Sequence, residues 1–195
     1  MKKIIFIFII LLLTGLTKAQ TNDVLVEFCT GTWCQWCPCG DQVADGILMN
    51  HPNTLVLAYH GGGGGDPFQN FNGNNIISIL AYTGYPEAAI GRRVGQLTYG
   101  SWSGNVNAQG SNYPSPLTLR FIKTMDSVSR TVNLTVQATA LRDIDTNVYV
   151  NFVITEDNVI YSQTGNSGAG CIGGSNYVHK WIVRNMVNGA TGEAL

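Results

Sequence analysis

Four of the five cysteines in this 195-residue chain fall within eleven residues, at Cys29, Cys34, Cys37 and Cys39; the fifth, Cys171, lies far downstream. A small disulfide-stapled scaffold spreads its cysteines along the chain, so a cluster points to thiol chemistry or to metal. Its centre is Trp33-Cys34-Gln35-Trp36-Cys37. Two cysteines at this spacing close a disulfide when the first stands at a helix N-terminus. There, unpaired backbone N–H groups and the helix dipole stabilise a thiolate. Cys34 is then the accessible nucleophile, and Cys37, one turn further in, attacks the mixed disulfide to release product. Zinc sites use the same spacing, but no second C-x-x-C and no H-x3-H follows. Cys39 extends the pair to C-x-x-C-x-C, the pattern of a soft-metal site such as one for Cu(I). An odd cysteine count leaves a free thiol or an intermolecular bond. Cys171 has Cys29, Cys39 or a cysteine outside this chain as alternative partners.

The compartment follows from the N-terminus. Lys2 and Lys3 precede an unbroken apolar run from Ile4 to Leu13, and Thr17-Lys18-Ala19 offers small residues before Gln20. Residues 1–19 read as a secretory signal peptide, with no cysteine at the cleavage site to carry a lipoprotein anchor. Its removal leaves a net charge of −4 on the mature chain. The destination is outside the cytoplasm, where disulfides persist. Charged residues make up 12% of the chain, about half the usual ~25%. No basic field exists to hold nucleic acid. No stretch after residue 20 approaches the ~20 apolar residues of a membrane-spanning helix.

The hydrophobic pattern changes near residue 113. Before it, a strand at Val24–Phe28, a helix over 38–50 ended by His51-Pro52-Asn53, a strand at Leu55–Tyr59, a helical pattern over 68–82 and a short strand at Ala88–Ile90 alternate, as in an α/β sheet. Gly61–Gly65 forms a glycine-rich loop without the Lys-Ser/Thr of a phosphate-binding loop. After Tyr113-Pro114-Ser115-Pro116 the pattern has period two: Leu117–Ile122, Val132–Ala138, Val148–Ile154 and, as a fourth strand, Tyr177–Val187. The double proline marks a linker at 113–116 between a domain at 20–112 and a β domain at 117–195. About seven strands make an immunoglobulin-like sandwich, so the expectation is a sandwich incomplete in this chain.

A strand, W-C-x-x-C before a helix, and Gly84-Tyr85-Pro86 about fifty residues on resemble the thioredoxin-like superfamily over roughly residues 23–110. Val24-Leu25-Val26-Glu27-Phe28 is similar to that family's V-L-V-D-F strand, and Gln35-Trp36 stands where Gly-Pro is common. The phrase Phe28-Cys29-Thr30-Gly31-Thr32-Trp33-Cys34 with Cys37-Pro38 resembles, more narrowly, the family related to the twenty-eight-kilodalton outer membrane protein. Tyr59-His60 with Asp66-Pro67, and Tyr177-Val178-His179-Lys180 with Arg184, belong to the same likeness. The resemblance implies an α/β thioredoxin-like domain followed by a β-rich domain. It also implies export to the periplasm, outer membrane or outside, and a cis bond before Pro86 facing the disulfide.

The function expected is a thiol–disulfide oxidoreductase acting on protein thiols or disulfides, with no cofactor and no metal. Cys34 attacks and Cys37 resolves. Glu27, expensive to bury unless paired or protonated, accepts the proton of Cys37 or else sits at a wet edge. Trp33 and Trp36 line a substrate groove, while Tyr85 and Pro86 present backbone to the substrate. His60 reads as structural, and His179 and Arg184 receive no catalytic role. Cys29 reads as a small buried hydrophobe. The β region is expected to position or anchor the protein without joining thiol exchange. The rival is a non-catalytic surface protein using the fold as a scaffold, favoured by a buried pair; a metallochaperone is the third reading.

Overall fold

The computed structural model of the chain describes residues 23–195 apart from Gly64; the expected signal peptide lies outside the described residues. Strands β1 (Leu25–Thr30) and β2 (Leu55–His60) run parallel at the centre of a mixed sheet. Helix α1 (Cys37–Asn50) crosses between them. Helix α2 (Phe71–Ile79) then leads to β3 (Glu87–Ile90), which pairs antiparallel with β1 and carries β4 (Val94–Thr98) on its other side. Helix α3 (Trp102–Asn112) completes the N-terminal half.

The sheet has two covered faces. Val26, Phe28, Val56, Ala58, Ala88 and Ile90 pack against Ala44 and Ile47 of α1 and Trp102 and Val106 of α3. On the opposite face Tyr59, Val183 and Met186 meet Ile76 of α2. Burial on both sides is why β1 and β2 read as nearly continuous apolar runs. Pro38 occupies the first turn of α1, where no N–H is needed. A β-carbon on Gly40 would come within 3.0 Å of Pro86 Cγ and 3.1 Å of Trp102 Cη2, so glycine lets the helix seat against both. Asn70 caps α2, its side chain accepting from the Gly73 N–H at 2.7 Å.

The C-terminal half departs from the expected fold class. β5 (Leu117–Asp126) and β6 (Thr131–Ala140) form a long antiparallel hairpin. β7 (Tyr149–Val150), β8 (Val153–Glu156), β9 (Val159–Gln163), β10 (Gly174–His179), β11 (Ile182–Met186) and β12 (Glu193–Ala194) follow. No immunoglobulin-like sandwich forms among the described residues. β11 pairs parallel with β2 at Ile182 and Ala58, and β8 pairs with β11, giving one six-stranded sheet ordered β4-β3-β1-β2-β11-β8. The remaining strands pair in twos, β9 with β10, β7 with β12 and β5 with β6. The structure is mostly β, with 23% helix, and is not an α/β thioredoxin-like domain followed by a separate sandwich.

The physical reason is that two expected strands break. The run Val148–Ile154 is interrupted at Asn151-Phe152, so β7 goes to β12 and β8 to β11. The run Tyr177–Val187 turns at Lys180-Trp181, where Trp181 takes a left-handed φ of 54° and its N–H is held by Asp157 Oδ1 at 2.6 Å. β10 therefore pairs with β9, while β11 crosses over to close the exposed edge of β2. Helix α3, with two glycines and three asparagines among eleven residues, carries little helical propensity and escapes a sequence reading. Among the described residues no helix is long and apolar enough to cross a membrane.

Candidate functional site

Cys34 and Cys37 are joined in a disulfide, their Cα atoms 5.4 Å apart. Helix α1 begins at Cys37, so Cys34 stands three residues before it, in a turn closed by Cys34 N–H to Gly31 O at 2.9 Å and Cys37 N–H to Cys34 O at 3.3 Å. Cys34 keeps 4% of its surface and Cys37 none. The expectation of an accessible first cysteine is thus corrected: with the disulfide closed, Cys34 is buried. Its Sγ lies 3.5 Å from the carbonyl oxygen of Tyr85, and the Tyr85–Pro86 bond is cis, as expected. Trp33, Cys34, Gln35, Trp36, Tyr85 and Thr164 line an open cavity of about 390 Å3.

The two tryptophans form its rim. Trp33 and Trp36 are 38% and 39% exposed. The Trp33 indole donates to Gly61 O at 3.2 Å, and its ring lies 5.2 Å from that of Tyr85. Gly62, at φ +82°, allows this approach, since a β-carbon there would meet both rings at 2.7 Å. Cys29, the free and buried cysteine, braces the segment carrying Tyr85 and Pro86. Its thiol reaches Gly84 O at 3.1 Å and accepts from Glu87 N–H at 3.4 Å. Burial pushes the Cys29 thiol up to about 12, so it stays protonated and inert.

Glu27 is fully buried, and it is paired. Arg92 donates from Nε to Oε2 at 2.7 Å and from Nη2 to Oε1 at 2.8 Å, and the Tyr59 hydroxyl donates to Oε1 at 2.8 Å. These bonds raise the Arg92 pKa. Val26 and Phe28 face α1, so the alternation of β1 turns Glu27 to the other side of the sheet. The hydrogen bonds of its carboxylate lead to Arg92 and Tyr59, and none of them leads to Cys37.

The region expected to be accessory enters the site. Gln163, the last residue of β9, sends its side-chain N–H groups to Cys34 O at 2.9 Å and Gly31 O at 3.1 Å. The Thr164 N–H reaches Thr32 O at 2.8 Å. A second disulfide joins Cys39 to Cys171, which removes Cys39 from any metal set with Cys34 and Cys37 in this state. The side chain of Gln42 adds a bond to Gly170 O at 3.1 Å. No pattern in the sequence marks Gln163 or Thr164; a lone glutamine at a strand end carries no signal.

Behind the motif lies a buried polar and aromatic cluster. His60 Nδ1 and Asp66 Oδ2 are 3.0 Å apart, and Asp66 also accepts from Thr32 N–H at 2.6 Å and Phe68 N–H at 2.8 Å. Burial works against the Asp66 carboxylate, yet the bonds from His60, Thr32 and Phe68 and the charge of His60 hold its pKa below the usual range. His179 packs on His60, Phe68 and Tyr177, with ring centroids at 5.6, 4.9 and 5.0 Å. Burial first, and the charge of His60 second, push its pKa down to about 4. Tyr177 donates to Asp41 Oδ2 at 2.7 Å, and Lys180 pairs with Asp45 at 2.8 Å, tying β10 to α1. Arg184 lies over the Phe68 ring at 5.1 Å. His60, Asp66, Tyr177, His179 and Arg184 thus form one cluster with Phe68, tied to the motif through Thr32, while Tyr59 bonds Glu27 instead.

No protein-family profile matches the chain, and no curated protein matches it. Two solved structures do. HBP35 of Porphyromonas gingivalis superposes with a TM-score of 0.72 at 16% identity, over 90% of this chain and 60% of that one. A structural-genomics target from Agrobacterium tumefaciens superposes with a TM-score of 0.50 at 15% identity, over 90% of this chain and 77% of that one. The chain therefore spans about 60% of the length of HBP35. At these identities the likeness concerns the fold alone, and it fits a thioredoxin-like fold in the coarse sense.

Proposed function

We propose that this protein is an exported thiol–disulfide oxidoreductase of the family related to the twenty-eight-kilodalton outer membrane protein, acting on protein thiols or disulfides. One observation carries the reading: Cys34 of the Cys34–Cys37 disulfide lines an open, tryptophan-rimmed cavity, while Cys37 is fully buried. As an oxidant, the pair accepts a substrate thiolate on Cys34 Sγ. The Cys34–Cys37 bond breaks and Cys37 leaves as a thiolate. A second substrate thiolate then displaces Cys34, forming the substrate disulfide; two electrons have moved to the protein and two protons come from water. Reduction of a substrate runs the same steps backwards. Tyr85 and Pro86 supply backbone beside the sulfur, and Trp33 and Trp36 bound the groove. Glu27 serves this reading as a neutralised structural charge, its oxygens being held by Arg92 and Tyr59. The periplasm, outer membrane or exterior is the compartment that suits two disulfides.

A second reading, a non-catalytic scaffold with a permanent disulfide, rests on the 4% exposure of Cys34. Incubation with reduced insulin chains or glutathione separates the two. Catalytic exchange lost in Cys34→Ser, and a mixed disulfide on Cys34 trapped by Cys37→Ser, support the oxidoreductase. A native pair that stays oxidised through a full glutathione titration supports the scaffold.

A further inference from the structure

We propose that Gln163 is a positioning residue for the Cys34–Cys37 pair, held in place by the Cys39–Cys171 disulfide, so that the second disulfide sets the redox equilibrium of the first. The proposal rests on the thiol–disulfide reading above. Gln163 is buried, at 3% exposure. Its amide nitrogen serves three carbonyls, those of Gly31, Cys34 and its neighbour Thr164, at 3.1, 2.9 and 3.0 Å. Two of these define the turn around Cys34. Gly31 O accepts the Cys34 N–H, and Cys34 O accepts the Cys37 N–H. One side chain therefore grips the backbone on both sides of the first cysteine, 129 residues earlier in sequence.

Gln163 is itself fixed. Thr164 bonds Thr32, and Asn166 and Cys171 exchange backbone bonds at 2.8 and 3.0 Å. Gly165 and Gly173 bring the two arms of the loop so close that a β-carbon on either would collide with the opposite backbone. The loop then ends on Cys171, bonded to Cys39 two residues after Cys37. Thus α1 and the 163–171 loop are clamped at both ends of the motif, by the Gln163 amide before it and by the second disulfide after it. Such a clamp restricts how far Cys34 moves from Cys37 once their bond is reduced. Holding two reacting groups together favours closing the bond between them. Without the amide, two buried carbonyls lose a donor and the turn loosens. The oxidised form is then less favoured.

The test measures the equilibrium in which the Cys34–Cys37 disulfide and two glutathione thiols give the Cys34 and Cys37 thiols and one glutathione disulfide. The full-length purified protein is titrated with glutathione, and alkylated peptides containing Cys34 and Cys37 are counted by mass spectrometry. Gln163→Met keeps the volume and removes the donor. Its equilibrium constant toward the dithiol rises about tenfold, or about 30 mV for a two-electron couple. Cys39→Ala/Cys171→Ala keeps Gln163 and removes the tether, and shifts the constant at least threefold in the same direction. Values within twofold of wild type in a folded Gln163→Met overturn the proposal and leave the oxidoreductase reading intact. If Gln163→Met does not fold, the double variant decides alone, and no shift there overturns it. A wild-type pair that never exchanges with glutathione removes the underlying reading and this proposal together.

Discussion

The central sheet and the β5–β6 hairpin use the same amino acids to opposite ends. Val26 and Phe28 of β1 are fully buried, with the Phe28 and Trp102 rings 5.3 Å apart. Leu119, Phe121 and Met125 of β5 are 64%, 59% and 68% exposed. They share one face of the hairpin with Val132, Val136 and Ala138 of β6, across a ten-residue register. Thr118, Arg120 and Thr124 stand on the other face, opposite Thr139, Gln137 and Asn133. The hairpin is thus a strongly amphipathic ribbon, and the sheet is covered on both sides. Alternation states that one face of a strand seeks cover; it does not state what supplies the cover. Continuous apolar runs such as Val56–Tyr59 leave less freedom, because both faces have to be enclosed.

That contrast is measurable, and the largest effect belongs to the clamp around the site. Replacing Cys39 and Cys171 together by alanine lowers stability by about 4–5 kcal/mol on the chain-entropy account, since the crosslink spans 132 residues. Guanidinium unfolding with the Cys34–Cys37 bond intact gives the value. A loss below about 1 kcal/mol would mean that the loop is held by its hydrogen bonds alone. Next comes Phe28→Ala, expected to cost about 3–5 kcal/mol as a large core truncation. A small loss there would show that the sheet core repacks as freely as the hairpin.

Acid acts on the buried side of the comparison. His179 sits at about 4 in the folded protein, against ~6.5 when unfolded. Its depressed value means that the unfolded chain binds the proton more tightly. The contribution to stability is complete above about pH 6.5 and is lost as pH falls toward 4, by up to about 3 kcal/mol. Asp41 opposes it: burial raises its pKa to about 6, so its contribution is lost as pH rises from about 4 to 6. Stability measured across pH 4–7 in wild type and His179→Phe isolates the histidine, and identical pH dependence in the two would remove it as the cause. Glu27→Gln follows, at about 2 kcal/mol, less than a fully buried pair because the Arg92 side chain is 43% exposed and keeps water. Smallest is Phe121→Ala on the hairpin, at under about 1 kcal/mol in thermal or denaturant unfolding. A loss as large as that of Phe28→Ala would show the ribbon covered in solution.

The legible parts of the molecule are those whose signals are local. The first strand, α1 and β2 follow from apolar runs, from Pro38 and from the stop at His51-Pro52. The Trp33–Cys37 motif and Tyr85-Pro86 announce themselves by residue type and spacing, and the structure brings Trp33 to Trp36 and Tyr85 together around one cavity. What escaped is non-local. The division of Val148–Ile154 and Tyr177–Val187 between sheets depends on which edge each half reaches, and period two is blind to that. The partner of Cys171 was open among several cysteines, and only the approach of the loop to α1 selects Cys39. The contribution of Gln163 depends on strand β9 ending beside Gly31, which no single residue in either segment encodes. The salt bridge of Glu27 depends likewise on Arg92, held at a left-handed φ of 53° just after β3.

The distance in sequence between Cys39 and Cys171 also orders events in time. A ribosome adds ~5–20 residues per second, so Cys171 is made about 7–26 s after Cys39. Throughout that interval Cys29, Cys34, Cys37 and Cys39 are four neighbouring thiols, of which only Cys34 and Cys37 have their final partner in reach. Early oxidant traps whichever local pair forms first, and any pair that includes Cys29 or Cys39 has to be undone before the native set can close. On the export proposed above, these thiols therefore need to stay reduced until Cys171 has followed them, or an isomerase has to correct the pairing afterwards.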